Sequence, residues 1–256
     1  MNGLPEAGFP EDWLQPNWTG ANVLAGSTTR QGGGSKSPFD TFNVRFGEDD
    51  PAAVAANRQQ LKVLTGAAQV QYLEQVHGID VLAATASTAV NPVVADAMWT
   101  DEAGLALVIQ TADCLPVLIT ERGGRCIGAA HAGWRGLAGG VIPALLAAMP
   151  CRQEDMLVWL GPCISRGHSY EVGTEVRQAF IQITTDAVMA QAFRPGKTID
   201  KWWCDLVLLA RAQLEAAGVP AGSITASGRG TLDDPSFFSY RREARTGRMA
   251  HFIVRR

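Results

Sequence analysis

LALVIQTADCLPVLITE (105–121) is apolar at both ends and polar in its middle. Leu105 to Ile109 and Leu115 to Ile119 carry the aliphatic side chains of strands covered on both faces. Thr111, Asp113 and Cys114 stand between them. The run therefore reads as buried strand material interrupted near Asp113. Working outward, RCIGAAHAG (125–133) is a further strand ending at His131. VQYLEQV (70–76) and DVLAAT (80–85) are two more, with His77-Gly78 between them. ANVLAGSTTR (21–30) is a strand, and QGGGSKSP (31–38) a flexible loop.

Helix signals lie among these strands. Asp50 is placed as a cap and Pro51 as a first helical residue, with Val54, Leu61 and Leu64 on or near one face. GLAGGVIPALLAAM (136–149) has helical apolar spacing, and Pro143 inside it is expected to kink or shorten the helix. MLVWLGP is a strand, and EVRQAFIQI and DLVLLARAQLEAAG are amphipathic helices, the second ending on Gly218. SFFSYRRE and MAHFIVRR are expected to close the chain as strands. The signals are mixed rather than strictly alternating, and no repeat or long linker divides them. The expectation is an α+β (mixed α/β) fold, one domain over 1–256 with mixed β-sheets flanked by helices and an irregular segment at 1–20.

Composition sets outer limits. At 256 residues, 46% hydrophobic and 18% charged, the chain has the makeup of a globular protein with a full core. A net charge of −3 gives no basic footprint for nucleic acid or an anionic membrane. No apolar run approaches the roughly 20 residues of a membrane-spanning helix, and the acidic, Pro-rich start has no secretory pattern. The five cysteines are odd in number, irregularly spaced and without CxxC, so the expectation is reduced thiols in a cytoplasmic protein.

Two of the four histidines flank the opening stretch: His77 in EQVHG and His131 in AAHAGWRG. With Cys114 each sits where a strand ends or breaks, among small neighbours. Two imidazoles and a thiolate suit zinc as three protein ligands with a fourth position open. Each residue also has a packing explanation, and the spacing alone does not prove that they converge.

LEQVHG, TADCLPVLI, HAGWRG, GPCIS…YEVG and FFSYRR…TGRMA, in this order from about Ser27 to Ile253, resemble the YfiH-type family, whose members have been described as laccase-domain or multicopper polyphenol oxidases and as zinc-dependent purine nucleoside phosphorylases. The resemblance implies His77, Cys114 and His131 as metal ligands. It implies phosphate attack on the ribosyl carbon of adenosine, inosine, guanosine or methylthioadenosine, and deamination of adenosine to inosine. The implied partners are a nucleoside and phosphate, with no nucleic acid and no membrane; the oligomeric state stays open.

Asp113 has three readings: a carboxylate orienting His77 or His131, a proton carrier, or a cap on the strand break. Arg30 and Asn43 match the family's early STR…GG…N stretch and suit phosphate or ribose, or loop hydrogen bonds instead. Arg135 and Arg241 face the same alternatives, whereas Arg242 reads as structural. Cys163 reads as packing, and His168 and His251 as surface or structural residues. NVRFGEDD departs from the family's NLGxHVGD and lacks its His, so Arg45 is placed as a substitute cation. Gly230-Thr231 stands where relatives carry Cys-Thr. An amidase editing mis-acylated cell-wall precursors, a copper oxidase and a structural-zinc protein are the competing functions. Four histidines are too few for a laccase copper set, although one adventitious copper fits the same donors. A fourth ligand from Cys163, Cys126 or Asp113 would mark structural zinc.

Overall fold

The computed structural model describes residues 9–18, 22–164 and 169–256, so His168 lies outside the described residues. The elements run β1 (Val23–Ser27), α1 (Pro51–Thr65), β2 (Gln69–Glu74), β3 (Val81–Ala83), β4 (Val93–Val94), β5 (Ala97–Thr100), β6 (Leu105–Thr111), β7 (Leu115–Glu121), β8 (Ile127–Ala132), α2 (Trp134–Gly139) and α3 (Val141–Ala148). They continue with β9 (Met156–Leu160), β10 (Glu171–Gly173), α4 (Thr174–Ile181), α5 (Asp186–Ala192), β11 (Phe193–Pro195), β12 (Lys201–Cys204), α6 (Leu206–Ala216), β13 (Ile224–Ala226) and β14 (Met249–Arg255).

Two mixed sheets form the centre, ordered β1-β14-β6-β2-β4 and β13-β9-β7-β8-β5-β3, and β10-β12-β11 form a small antiparallel sheet. The interruption at Asp113 is where the chain leaves one central sheet for the other, because β6 belongs to the first and β7 to the second. Leu105, Leu107, Ile109 and Ile253 of the first sheet meet Leu118, Ile127, Ala129 and Trp159 of the second between the layers. The alternate residues Val108, Ala250 and Phe252 face Leu61 of α1. Leu115, Val117 and Ile119 face Leu145, Val176 and Leu209 of α3, α4 and α6. Strands β6 and β7 are therefore apolar on both faces, which is why the sequence shows runs there and not alternation. The expected mixed architecture holds, in four layers: helix, sheet, sheet, helices.

Three expectations change. Pro143 does not kink its helix; the break falls at Gly140, whose φ of 96° ends α2 and starts α3. Pro143 then lies in the first turn of α3, where a missing N–H costs no helical hydrogen bond. SFFSYRRE is a loop buried at its centre, not a strand. Phe237 and Phe238 are fully buried there, and the Arg242 guanidinium ties the loop by donating to the carbonyls of Thr231, Leu232, Asp234 and Phe237. The five thiols are not all free, because Cys126 and Cys151 are joined in a disulfide. Among the described residues no helix is long and apolar enough to cross a membrane.

Candidate metal centre and its cleft

Three breaks in three strands bring the sequence-selected donors together. His77 follows β2 with a left-handed φ of 62°, Cys114 sits in the crossover between β6 and β7, and His131 is near the end of β8. One ligand atom from each lies within 4.8 Å of the others. The Cys114 Sγ to His77 Nε2 distance is 3.7 Å. Zinc bonds of about 2.3 Å to sulfur and 2.0–2.1 Å to nitrogen at tetrahedral angles place those atoms about 3.6 Å apart. The donor set and its spacing therefore fit one ion. Gly133, directly after the β8 strand, makes the approach possible: a Cβ there would stand 2.8 Å from His77 Cδ2 and 3.0 Å from Cys114 Sγ.

Asp96, just before β5 and fully buried, organises two of the donors. Its carboxylate accepts from His131 Nδ1 at 2.7 Å and from the backbone N–H groups of Val76 (3.1 Å), His77 (3.0 Å) and Gly78 (2.6 Å). One carboxylate thus aims the other nitrogen of His131 at the site and holds His77 in a backbone conformation that a non-glycine residue adopts only when its surroundings compel it. Burial alone would raise the Asp96 pKa; the hydrogen bonds from His131, Gly78 and Val76 outweigh it and hold the carboxyl below its usual range. Burial likewise opposes ionisation of Cys114, but the charge and hydrogen bonds of His131, with His77, bring its thiol down to about 6. Burial works against a charged His131 as well, yet the Cys114 thiolate and Asp96 raise it to about 9. Without a metal the pair is a thiolate and an imidazolium.

The orienting role considered for Asp113 belongs to Asp96. Asp113, at φ 93°, accepts from the Thr231 hydroxyl at 2.6 Å and from Arg241 N–H at 2.7 Å, so its carboxylate fastens the crossover to the 231–241 loop and not to either imidazole. Asp96 was readable in principle, since it is an acidic residue inside the apolar run VVADAMW, the same anomaly that marked Asp113.

The donors open onto a cleft of about 680 Å³ whose walls include Arg45, Arg58, Arg241, Arg248, Tyr170 and Tyr240. Of the candidate substrate-binding residues, Arg45 and Arg241 line it; Arg30, Asn43 and Arg135 do not. Arg30 is paired with Asp40 (3.3 Å) and Glu243 (3.6 Å) and lies over Phe238. Arg135 is exposed over Trp134. Asn43 works one step back: its side-chain Oδ1 accepts from the backbone N–H of both Arg45 and Arg248, and its side-chain amide Nδ2 donates to Asp49. Arg58 is held between Tyr72 and Phe46, and burial lowers its pKa. Burial and then the neighbouring Arg45 lower that of Arg248. Two cations facing one space favour an anion between them. Arg58 was legible as an inward residue, one helical turn from Val54 and Leu61.

His251 is not at the surface. It is fully buried with Nε2 at 2.7 Å from the Thr111 hydroxyl, and burial lowers its pKa to about 3. Cys163 is packed in the core, as expected.

Fold and site define a mixed α/β protein with a two-histidine, one-cysteine centre in a cationic cleft. A family model described as multi-copper polyphenol oxidoreductase laccase matches residues 24–256, and the chain belongs to that family. A Pseudomonas aeruginosa protein named purine nucleoside phosphorylase is 42% identical over 244 residues, 94% of this chain and 97% of its own. The Escherichia coli purine nucleoside phosphorylase YfiH is 41% identical over 94% of this chain and 96% of its own. A crystal structure of a Neisseria meningitidis protein superposes with a TM-score of 0.88 at 39% identity, covering 95% of this chain and 99% of that one. YlmD from Geobacillus stearothermophilus gives 0.88 at 33% identity, with 95% and 96% covered. The YfiH-type resemblance is thereby borne out.

Proposed function

We propose that the chain is a zinc-dependent purine nucleoside phosphorylase that cleaves adenosine, inosine, guanosine or methylthioadenosine with phosphate, with adenosine deamination as a side activity. The observation that carries the reading is the triad His77, Cys114 and His131 opening onto a cleft with guanidinium walls. The relatives named purine nucleoside phosphorylase support it.

His77, Cys114 and His131 would hold the ion, and the ion, when bound, supplies Lewis-acid stabilisation to a substrate oxygen. The candidates for a fourth protein ligand are otherwise engaged: Cys126 is bonded to Cys151, Asp113 is held by Thr231 and Arg241, and Cys163 is packed in the core. That favours an open, catalytic position over a structural one. Arg45 and Arg248 supply forked donors for phosphate. The two histidines outside the triad, His168 and the buried His251, do not furnish a laccase cluster, though copper would compete for the same donors.

Metal analysis and product identification test the reading together. The purified protein is expected to carry about one zinc per chain, as a single three-ligand site holds, and to convert adenosine and phosphate to adenine and ribose 1-phosphate. Cys114→Ala should lose both properties. Zinc-loaded protein that turns over a mis-acylated muramoyl precursor but leaves all four nucleosides intact would replace the phosphorylase reading with the amidase. Arg45→Ala should raise the phosphate needed for half-saturation about ten- to hundredfold, the loss of one charge-assisted contact. Phosphate-independent deamination should be spared, and equal loss of both reactions would contradict the anion role of Arg45.

A further inference from the structure

In phosphorolysis of a purine nucleoside the C1′–N9 bond breaks and its electron pair goes to the base. Negative charge then spreads over the ring to N7, and a donor aimed at that atom stabilises the transition state. Among the uncharged side-chain donors lining the cleft, Thr111 and Gln75 are committed, and Gln110 turns its amide oxygen to Arg58. The Thr111 hydroxyl is engaged by His251 Nε2 at 2.7 Å. The Gln75 amide is spent on the backbone N–H and carbonyl of Gln110. Tyr240 is 57% exposed and stands at the rim.

Tyr170 is held without using its hydroxyl. Its carbonyl accepts from Cys204 N–H at 2.9 Å, and the Arg241 guanidinium lies over its ring at 5.2 Å while donating to the Glu171 carbonyl at 3.1 Å. The Arg241 backbone N–H in turn donates to Asp113, the residue before Cys114. A short chain of contacts therefore fixes the phenol beside the metal donors, in the wall of the cleft. Burial raises the Tyr170 pKa, with Cys204 and Cys114 adding to it and Arg241 partly offsetting it, so the oxygen keeps its proton at neutral pH.

We infer that Tyr170 is a catalytic residue that donates its O–H to N7 of the departing purine. The inference rests on the phosphorylase reading. Hydrogen phosphate supplies the oxygen that forms the new bond to C1′. The proton it brings is released as ribose 1-phosphate forms and is taken up by the base anion, so atoms and charge balance with no further reactant. Tyr170 lends a hydrogen bond and retains its proton.

Full-length, zinc-loaded protein and its Tyr170→Phe variant are compared on guanosine and on 7-methylguanosine, whose base leaves uncharged and has no free N7. Loss of one such donor should lower kcat/KM for guanosine on the order of a hundredfold and leave 7-methylguanosine within about threefold. Phenylalanine keeps the ring under Arg241, so zinc content and Tm should hold. Equal losses on both nucleosides, or no loss on guanosine, overturn the role of Tyr170. A wild-type protein that releases no ribose 1-phosphate from either overturns the phosphorylase reading and this inference with it. Should the variant not fold, the guanosine to 7-deazaguanosine rate ratio of the wild type is compared with the ratio for their uncatalysed hydrolysis at the same pH: a markedly larger enzymatic ratio supports the contact, and a ratio no larger overturns it.

Discussion

Asp96 receives four hydrogen bonds and touches two of the three candidate ligands, so its charge matters more than its size. Asp96→Asn keeps the shape but puts an amide donor where N–H groups already point. Zinc affinity is expected to fall about ten- to hundredfold, as for lost outer carboxylates at other metal sites, read by competition with a chelator. An unchanged affinity would remove Asp96 from the site's design. The pKa shifts set a second expectation. Between pH about 6 and about 9 the metal-free site has lost the Cys114 proton and kept the one on His131. Zinc must displace that proton, so apparent affinity should drop about tenfold per unit as pH falls through this window. Below about 6 the protonated thiol must be displaced too, and the slope should steepen. A pH-independent affinity from 6 to 9 would contradict the thiolate–imidazolium pair.

The break between α2 and α3 separates two residues that look equally disruptive in sequence. Gly140 holds φ 96° and its N–H donates to the carbonyls of Gly136 and Leu137, and a Cβ there would meet only Pro143 Cγ at 3.8 Å. Its cost on substitution is therefore backbone strain alone. Gly140→Ala should destabilise by about 1–2 kcal/mol, lowering Tm by a few degrees, whereas Pro143→Ala should change little, because no helical hydrogen bond is gained in a first turn. The reverse ranking in thermal melts would restore Pro143 as the break. The same contrast explains what was legible at this scale. The long apolar strands, the Asp50-capped α1 and the helices at 175–183 and 205–218 announced themselves through burial on fixed faces. The loop at 236–243 did not, because Arg242 donates to the Phe237 carbonyl within it and to the Thr231 and Leu232 carbonyls before it, in place of ladder bonds to a neighbouring strand. The three triad positions stood out as polar residues in apolar company. Asn43 and Asp96 act through other residues, and Tyr170 and Arg248 are assigned only once distant segments are folded together.

At the scale of the whole molecule, the odd number of cysteines resolves into one disulfide-bonded pair, Cys126 and Cys151, and three cysteines outside it, at 114, 163 and 204. Unfolded, unreduced and metal-free protein should titrate three thiols, rising to five after reduction. Five before reduction would dissolve the Cys126–Cys151 link. The sheets join distant parts of the chain: β14, the last strand, lies between β1, the first, and β6. This placement has a consequence for biosynthesis. The metal donors are complete once residue 131 has left the ribosome, but Arg248 of the cleft and the strand that closes its sheet come more than 100 residues later, on the order of 10 s at ordinary rates of synthesis. During that interval β1 and β6 each expose the edge that β14 will cover. A nascent chain has its candidate metal donors before it has the whole cleft, and the sheet of β1 and β6 closes only when residues 249–255 emerge.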